Sequence, residues 1–273
     1  GLGPGAAVAL AMLAGVACGA VNGWLTIRCG LPSFVATLGM FYMARGVAVW
    51  LVAGRQLSGF PEGFVLLGRP LADLLAVWGM MPAPGSFAAD LARAVSVQTI
   101  FVVVVAAGAA LVLGRTHWGQ MIYAVGGNER AARYAGIDTR AVRFWSLVCS
   151  AACAAAAGVI YAAYLRSFNP AAGLLRELDA IAAVVIGGGS IFGGYGTILG
   201  ALAGAGAITL IRSILSLQII LPGGGSFVMP QHWMNVFIGL ILLGAVVADI
   251  WLRQEGLLRR AFGRLRDAAR TRP

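Results

Sequence analysis

Hydrophobic positions in this chain come in blocks rather than stripes. Gly3 to Ile27 carries no charge, and neither do Ala94 to Gly114, Ala180 to Ile211 and Ser213 to Ala248. A globular α/β protein of this size interrupts such runs with charged surface positions. Each block is long enough to cross a hydrocarbon core, which takes about 20 residues of helix. The bilayer offers no water to unpaired backbone groups, and the weak alternating pattern of a barrel is missing, so the spans must be helices. The pattern predicts an all-α integral membrane protein, a polytopic helical bundle.

Spans are expected at Pro4 to Ile27, Ser33 to Gly54, Ala94 to Gly114, Phe144 to Leu165 and Trp233 to Leu252. The 32 uncharged residues from Ala180 to Ile211 read as a helical hairpin. It is broken at Gly187-Gly188-Gly189-Ser190 and at Gly193-Gly194-Tyr195-Gly196, and one arm is too short to span fully. Such Gly-broken segments are tolerated only when buried in protein or lining a cavity; counting the hairpin as two gives about seven membrane segments. Gly3-Pro4-Gly5 favours a turn into the first helix. The chain opens inside a hydrophobic run with neither Met nor a charged leader, so Gly1 is expected to be a boundary within a longer protein, not the start of a signal peptide.

Composition supports this reading and narrows it. The chain is 60% hydrophobic and 11% charged, with a mean hydropathy of +0.86. All 20 basic residues are Arg. Without Lys there is no Walker-type phosphate loop and no Schiff base. The arginines are distributed unevenly. Arg115 to Arg143 holds five against Glu129 and Asp138, a net of +3, and the segment after Trp251 holds seven against Glu255 and Asp267, a net of +5. Arg55 to Ser96 and Arg166 to Asp179 are balanced. Basic segments stay in the cytoplasm, so the balanced ones are assigned outside and the C-terminus inside. Anionic headgroups supply the counter-charge to the +10 chain, and no nucleic-acid partner is needed. This divides the chain into a membrane domain, 1–252, and an Arg-rich cytoplasmic tail, 253–273. In the tail Leu257, Leu258, Ala261, Phe262 and Leu265 share one helical face, as in an interfacial helix; a disordered end is the alternative.

The most informative polar segment is the island RTHWGQMIYAVGGNERAARYAGIDTRAVR, residues 115–143. Gly126-Gly127 can break a helix, and Asn128 can cap the next with Glu129 in its first turn, where the helix dipole favours a carboxylate. Ala131, Ala132 and Ala135 permit close packing, and Gly136 can end the short helix in a left-handed turn. Arg130, Arg133 and Arg140 would then face a partner or phosphate headgroups. A helix that only anchors to lipid is the plainer alternative.

Other features suggest less chemistry. Cys149 and Cys153 share a helix face among alanines and read as small-residue packing. His117 and His232 lack a companion ligand, so no metal or cofactor is expected. Arg45 and Arg212 fall within or near spans, where a charge is costly and usually functional unless it snorkels. Gly196, Gly200 and Gly204 recur every fourth residue and make either a packing groove or a pore lining. Glu177 and Asp179 precede the hairpin, where they can cap its short arm or touch a polar solute. An ion-coupled carrier would place carboxylates or His at mid-membrane, and this chain does not. Ser190 and His232 raise a membrane serine protease, but the Gly that should follow two residues after Ser190 is missing.

Three phrases in order resemble the membrane subunits of ATP-binding-cassette importers for simple sugars, the ribose, arabinose and xylose type. They are Leu31-Pro32-Ser33-Phe34-Val35-Ala36-Thr37-Leu38-Gly39-Met40 with Ala44-Arg45-Gly46, then Tyr123 to Ile137, then Glu177 to Ser190 running into Gly193-Gly194 and Gly196-Thr197. The sequence departs from that family's pattern at Gly189, where a Thr is usual, and at Tyr195, often an Arg. About two N-terminal spans of the family are missing from the visible chain. The resemblance implies a non-enzymatic translocation subunit for a monosaccharide-like solute in a bacterial inner membrane. It implies a dimer with a second membrane subunit, a cytoplasmic ATPase and an extracytoplasmic sugar-binding protein. Gly126, Gly127, Asn128, Glu129, Arg130, Ala131, Ala132, Arg133, Gly136 and Ile137 would couple to the ATPase. Pro32, Ser33, Thr37, Glu177, Asp179, Gly187, Gly188, Ser190, Gly193 and Gly194 would border the pathway. Arg55, Arg69, Arg93, Arg166 and Arg176, in or beside the segment 55–96 and the hairpin's mouth, would dock the binding protein. Importers for branched-chain amino acids are close kin and the nearest alternative.

Overall fold

The charge-free runs from Gly3 to Ile27 and from Ala94 to Gly114 each hold a single long helix. The first, α1 (Pro4–Arg28), starts on a proline that has no N–H to leave unsatisfied and ends with Arg28 at the negative end of its dipole. It is followed by α2 (Ser33–Leu51), and later by α6 (Val97–Arg115), α9 (Thr139–Leu165) and α11 (Ile198–Leu215). These are the five helices among the described residues that are long and apolar enough to cross a membrane. The computed structural model describes residues 3–77, 79–80, 86–191 and 193–217, then only 219–220, 226–227, 230, 233, 235–241, 243–244 and 247. Within the expected span from Trp233 to Leu252, the described residues 233, 235–241, 243–244 and 247 are helical, and the others lie outside the described residues. His232 and the tail 253–273 lie wholly outside.

The balanced segment 55–96 is folded, not a bare loop. It contains β1 (Leu57–Ser58), α3 (Glu62–Val65) with a 3-10 turn after it, α4 (Leu71–Val77) and α5 (Phe87–Ala94). Ser86 caps α5 by accepting from the Ala89 N–H at 3.3 Å, and Ala89 and Ala92 are its buried positions. Antiparallel pairing joins β1 to β2 (Ser167–Phe168), with Leu57 opposite Phe168 and Ser58 opposite Ser167.

The chain divides into two compact units, Gly1–Gly173 and Leu174–Pro273. In the first, α1 lies along α9 through Gly15, Gly19 and Gly23. A Cβ at Gly19 would come within 2.6 Å of the Ala151 Cβ and 3.1 Å of the Val148 Cα. Lipid gives no hydrophobic drive between helices, so small residues that let backbones approach carry the contact. Cys149 and Cys153, expected in such packing, are instead exposed on α9; Ala151 and Ala155 face the glycines.

The second unit contains the expected hairpin. Its short arm is α10 (Arg176–Ile186) and its long arm is α11. Ala182, Ala183 and Ile208 form its core, with Ile186 packed against them. Further along, β3 (Ile219–Ile220) pairs with β4 (Ser226–Phe227).

Candidate functional site

The island folds as three short steps. Thr116 caps α7 (His117–Gly127), its hydroxyl accepting from the Gly119 N–H at 3.3 Å. The expected break falls directly after Gly126-Gly127, with α7 ending on Gly127. Both glycines are helical, and the chain turns at Asn128, whose backbone is extended at φ −157°. An asparagine satisfies the next helix's orphan donors, which a glycine cannot do. Asn128 Oδ1 accepts from the Ala131 N–H at 3.0 Å and starts α8 (Glu129–Tyr134).

Gly136 ends α8 in the left-handed conformation at φ +83°. The Ile137 N–H returns to the Ala132 carbonyl and the Gly136 N–H to the Arg133 carbonyl, which together make a Schellman stop. Asp138 then caps α9 through the Arg140 and Ala141 N–H groups at 3.0 and 3.1 Å. Val125, Ala132 and Val142, one from each helix, close a small core with Ile137 against it.

Glu129 braces this unit. It accepts from Arg133 at 3.1 Å along α8 and from Arg143 at 3.2 Å on α9. Single exposed pairs contribute little, about 0–1 kcal/mol; the Arg143 pair links α8 to α9, while the Arg133 pair stays within α8 and orients the shared carboxylate. Arg130, Ala131 and Arg133 are exposed, and Tyr134 is 92% exposed. Replacing Asn128 with Ala removes the only side-chain cap of α8 and is expected to cost about 1 kcal/mol. Hydrogen exchange should read this as faster exchange of the Ala131 and Ala132 amides, with α9 unchanged.

The residues assigned to the pathway separate into two groups. Pro32 precedes α2, and the Thr37 hydroxyl donates to the Ser33 and Phe34 carbonyls at 3.0 Å. Ser33 lies with Val125, Gly126 and Arg143 on a crevice of about 240 Å³, beside the island. The others belong to the hairpin. Gly188, Gly193 and Gly194 take positive φ in its loop, and the Ser190 N–H donates to the Tyr195 carbonyl at 3.1 Å. Gly187 faces α11, where an added Cβ would strike the Gly200 carbonyl.

Two expectations for the hairpin need correction. Gly196 does not share a helix face with Gly200 and Gly204, because α11 starts after Thr197. Capping by Glu177 or Asp179 also fails. Leu175 holds the N-cap position with no side-chain bond, and Glu177 is exposed. Asp179 reaches across instead, with Arg212 Nη2 donating to its two oxygens at 2.7 and 2.8 Å. Arg176 adds a contact at 3.5 Å. With 15% and 23% of their side chains exposed, Asp179 and Arg212 form the most shielded ion pair among the described residues. The sequence reading singled out both residues but missed their pairing. The available signal was one acid and one base that each needed a partner beside an uncharged hairpin.

Of the five arginines assigned to binding-protein docking, three sit in local pairs. Arg69 meets Asp73 at 3.9 Å, Arg93 meets Asp90 at 3.8 Å, and Arg176 meets Asp179. Arg55 is exposed, and Arg166 ends α9 in a left-handed turn at φ 52°. The Arg45 guanidinium lies 4.8 Å from the Phe41 ring, one turn back along α2.

Capped helical steps between apolar spans, together with a Gly-broken hairpin, define a polytopic helical membrane protein. The sequence comparisons agree. The model of the branched-chain amino acid transport system permease component matches residues 2–246, and the chain belongs to that family. Similar curated proteins include the autoinducer 2 import system permease protein LsrC of Yersinia enterocolitica, 33% identical over 89% of this chain and 59% of the relative. The protein of that name from Salmonella paratyphi B is 32% identical over 93% and 66%, and that from Yersinia pestis strain Pestoides F is 32% identical over 93% and 64%. The chain thus spans under two thirds of the length of these relatives. No solved structure matches it significantly.

Proposed function

We propose that this chain is the translocation subunit of an ATP-driven importer for a monosaccharide-like solute. It forms a dimer with a second permease subunit, identical or not, in a bacterial inner membrane, with its C-terminus in the cytoplasm. A separate cytoplasmic cassette ATPase drives it, and an extracytoplasmic binding protein delivers the solute. The observation that carries this reading is the island: a six-residue helix fixed at both ends, braced by Glu129, and offering Arg130 and Tyr134 to whatever lies beyond it. A helix that only rests on lipid needs neither a cap at each end nor a brace to the next span. The relatives' role in autoinducer 2 import is in keeping with it. Branched-chain amino acids, named in the family description, are the second reading of the solute.

The test is co-purification from gently solubilised native membranes, with partners identified by mass spectrometry. A variant carrying Arg130→Glu and Tyr134→Ala changes the exposed face but keeps the Glu129 brace. We expect a cassette ATPase with the wild type and none with the variant. Retention by both would move the docking surface elsewhere, and absence from both, with the protein intact, would return the chain to the ion-coupled carriers.

A further inference from the structure

Most of the hairpin's lining is Ala, Gly, Ile and Leu, yet one groove on it is polar. It has a volume of about 560 Å³, within the range of roughly 300–1,000 Å³ typical of small-molecule sites. Arg176 and Asp179 border it from α10, Thr209, Arg212 and Ser213 border it from α11, and Ser216 borders it from that helix's C-cap. Arginine asymmetry places this end of the hairpin outside.

The hydrogen-bonding inventory of the groove decides what it can hold. Two guanidiniums supply donors in fixed planes, and each hydroxyl both donates and accepts. The Thr209 hydroxyl spends its proton on the Ala205 carbonyl at 2.8 Å, and the Ser216 hydroxyl spends its own on the Ser213 carbonyl at 2.8 Å. Both oxygens therefore turn acceptor to a guest. Asp179 already holds Arg212 on both oxygens, but a carboxylate has about four lone-pair sites and can accept more. Two Arg against one Asp leave a net positive groove. An ammonium group meets repulsion there and finds the single carboxylate already engaged by Arg212. Hydroxyl groups meet donors and acceptors together, with Ala180, Ala183, Ala205 and Ile208 as an apolar wall for ring carbons.

We infer that this groove is a solute subsite for a neutral polyhydroxylated molecule, with the Asp179–Arg212 pair holding its polar rim in place. The inference rests on the importer reading above and makes its solute specific: hydroxyl-rich and without an amino group.

The test is saturation-transfer NMR on the full chain in nanodiscs, with D-ribose, D-xylose and D-galactose as sugar probes and L-leucine as the amino-acid probe. At least one sugar should show transfer that L-leucine does not. Arg176→Gln and Ser213→Ala leave the Asp179–Arg212 pair intact, and each should weaken sugar binding by about tenfold, as expected for losing a hydrogen bond to or beside a charge. Exchanging the pair as Asp179→Arg with Arg212→Asp keeps an ion pair but inverts the rim, and should abolish binding in a protein that still elutes as wild type. Transfer from L-leucine equal to the sugars, no transfer from any sugar, or full binding by the exchanged pair would each overturn the inference. Recovery of the ATPase in the co-purification above does not depend on these outcomes, so the importer reading can stand while the subsite fails.

Discussion

Asp179→Ala is expected to lower the thermal stability of the protein more than any other single substitution on the hairpin. Arg212 keeps its charge at any accessible pH. Its Nε is already buried without a partner, and Asp179 is its carboxylate at 2.7 Å. Removing one member of a buried pair costs about 3–5 kcal/mol because the other charge stays behind. The residual exposure of both side chains favours the lower end of that range. The double variant Asp179→Leu with Arg212→Met should recover most of the loss, since an apolar pair of similar bulk needs no counter-charge. Melting curves from tryptophan fluorescence in nanodiscs, arranged as a double-mutant cycle, would check this. If the double variant melts as low as Asp179→Ala, the pair is not what joins the arms.

The second large effect is expected at Gly204. A Cβ there would run into the Ala183 carbonyl oxygen, backbone that no rotamer can move. Gly204→Val should push α11 off α10 and open the Ala182, Ala183 and Ile208 core, at about 1–3 kcal/mol or more for such overpacking. Gly206→Ala, two residues on, meets nothing within 4 Å. It should be neutral or stabilising by up to about 1 kcal/mol through helix propensity. The same melting measurement reads both variants, and equal destabilisation would contradict the close approach at Gly204.

How much of this was legible in the sequence varies with the distance between the residues involved. The spans were legible because a membrane helix must be apolar over most of its length, so α1 and α6 follow the charge-free runs closely. The helices α2 and α9 follow the expected spans Ser33 to Gly54 and Phe144 to Leu165, with Arg45 in α2 and Arg140 and Arg143 at the start of α9 as their charged exceptions. Asn128 as a cap and Gly136 as a stop were legible because each solves a local backbone problem. Pairing across the chain was not. Asp179 and Arg212 lie 33 residues apart, and nothing local says that a carboxylate in a helix's first turn will leave the N-terminus for a neighbour. The spacing of Gly15, Gly19 and Gly23 announces a close approach but does not name α9 as the partner. The joining of Leu57 to Phe168 depends on the fold alone. Gly196 was misplaced because a four-residue interval says nothing about where a helix begins.

The continuity of α9 matters for movement. It runs 27 residues without a break, about 40 Å at 1.5 Å per residue. Glu129 grips it near one end through Arg143, and the Ser167–Phe168 ladder ties the other end to the segment after α2. A stiff rod held near both ends cannot absorb a displacement by bending locally, so a tilt imposed at one membrane face emerges at the other. Because Gly15, Gly19 and Gly23 of α1 seat against it, that helix must swing with the rod. The first unit is thereby built as a lever, and its fulcrum should be sought along the α1–α9 seam, not in the loops.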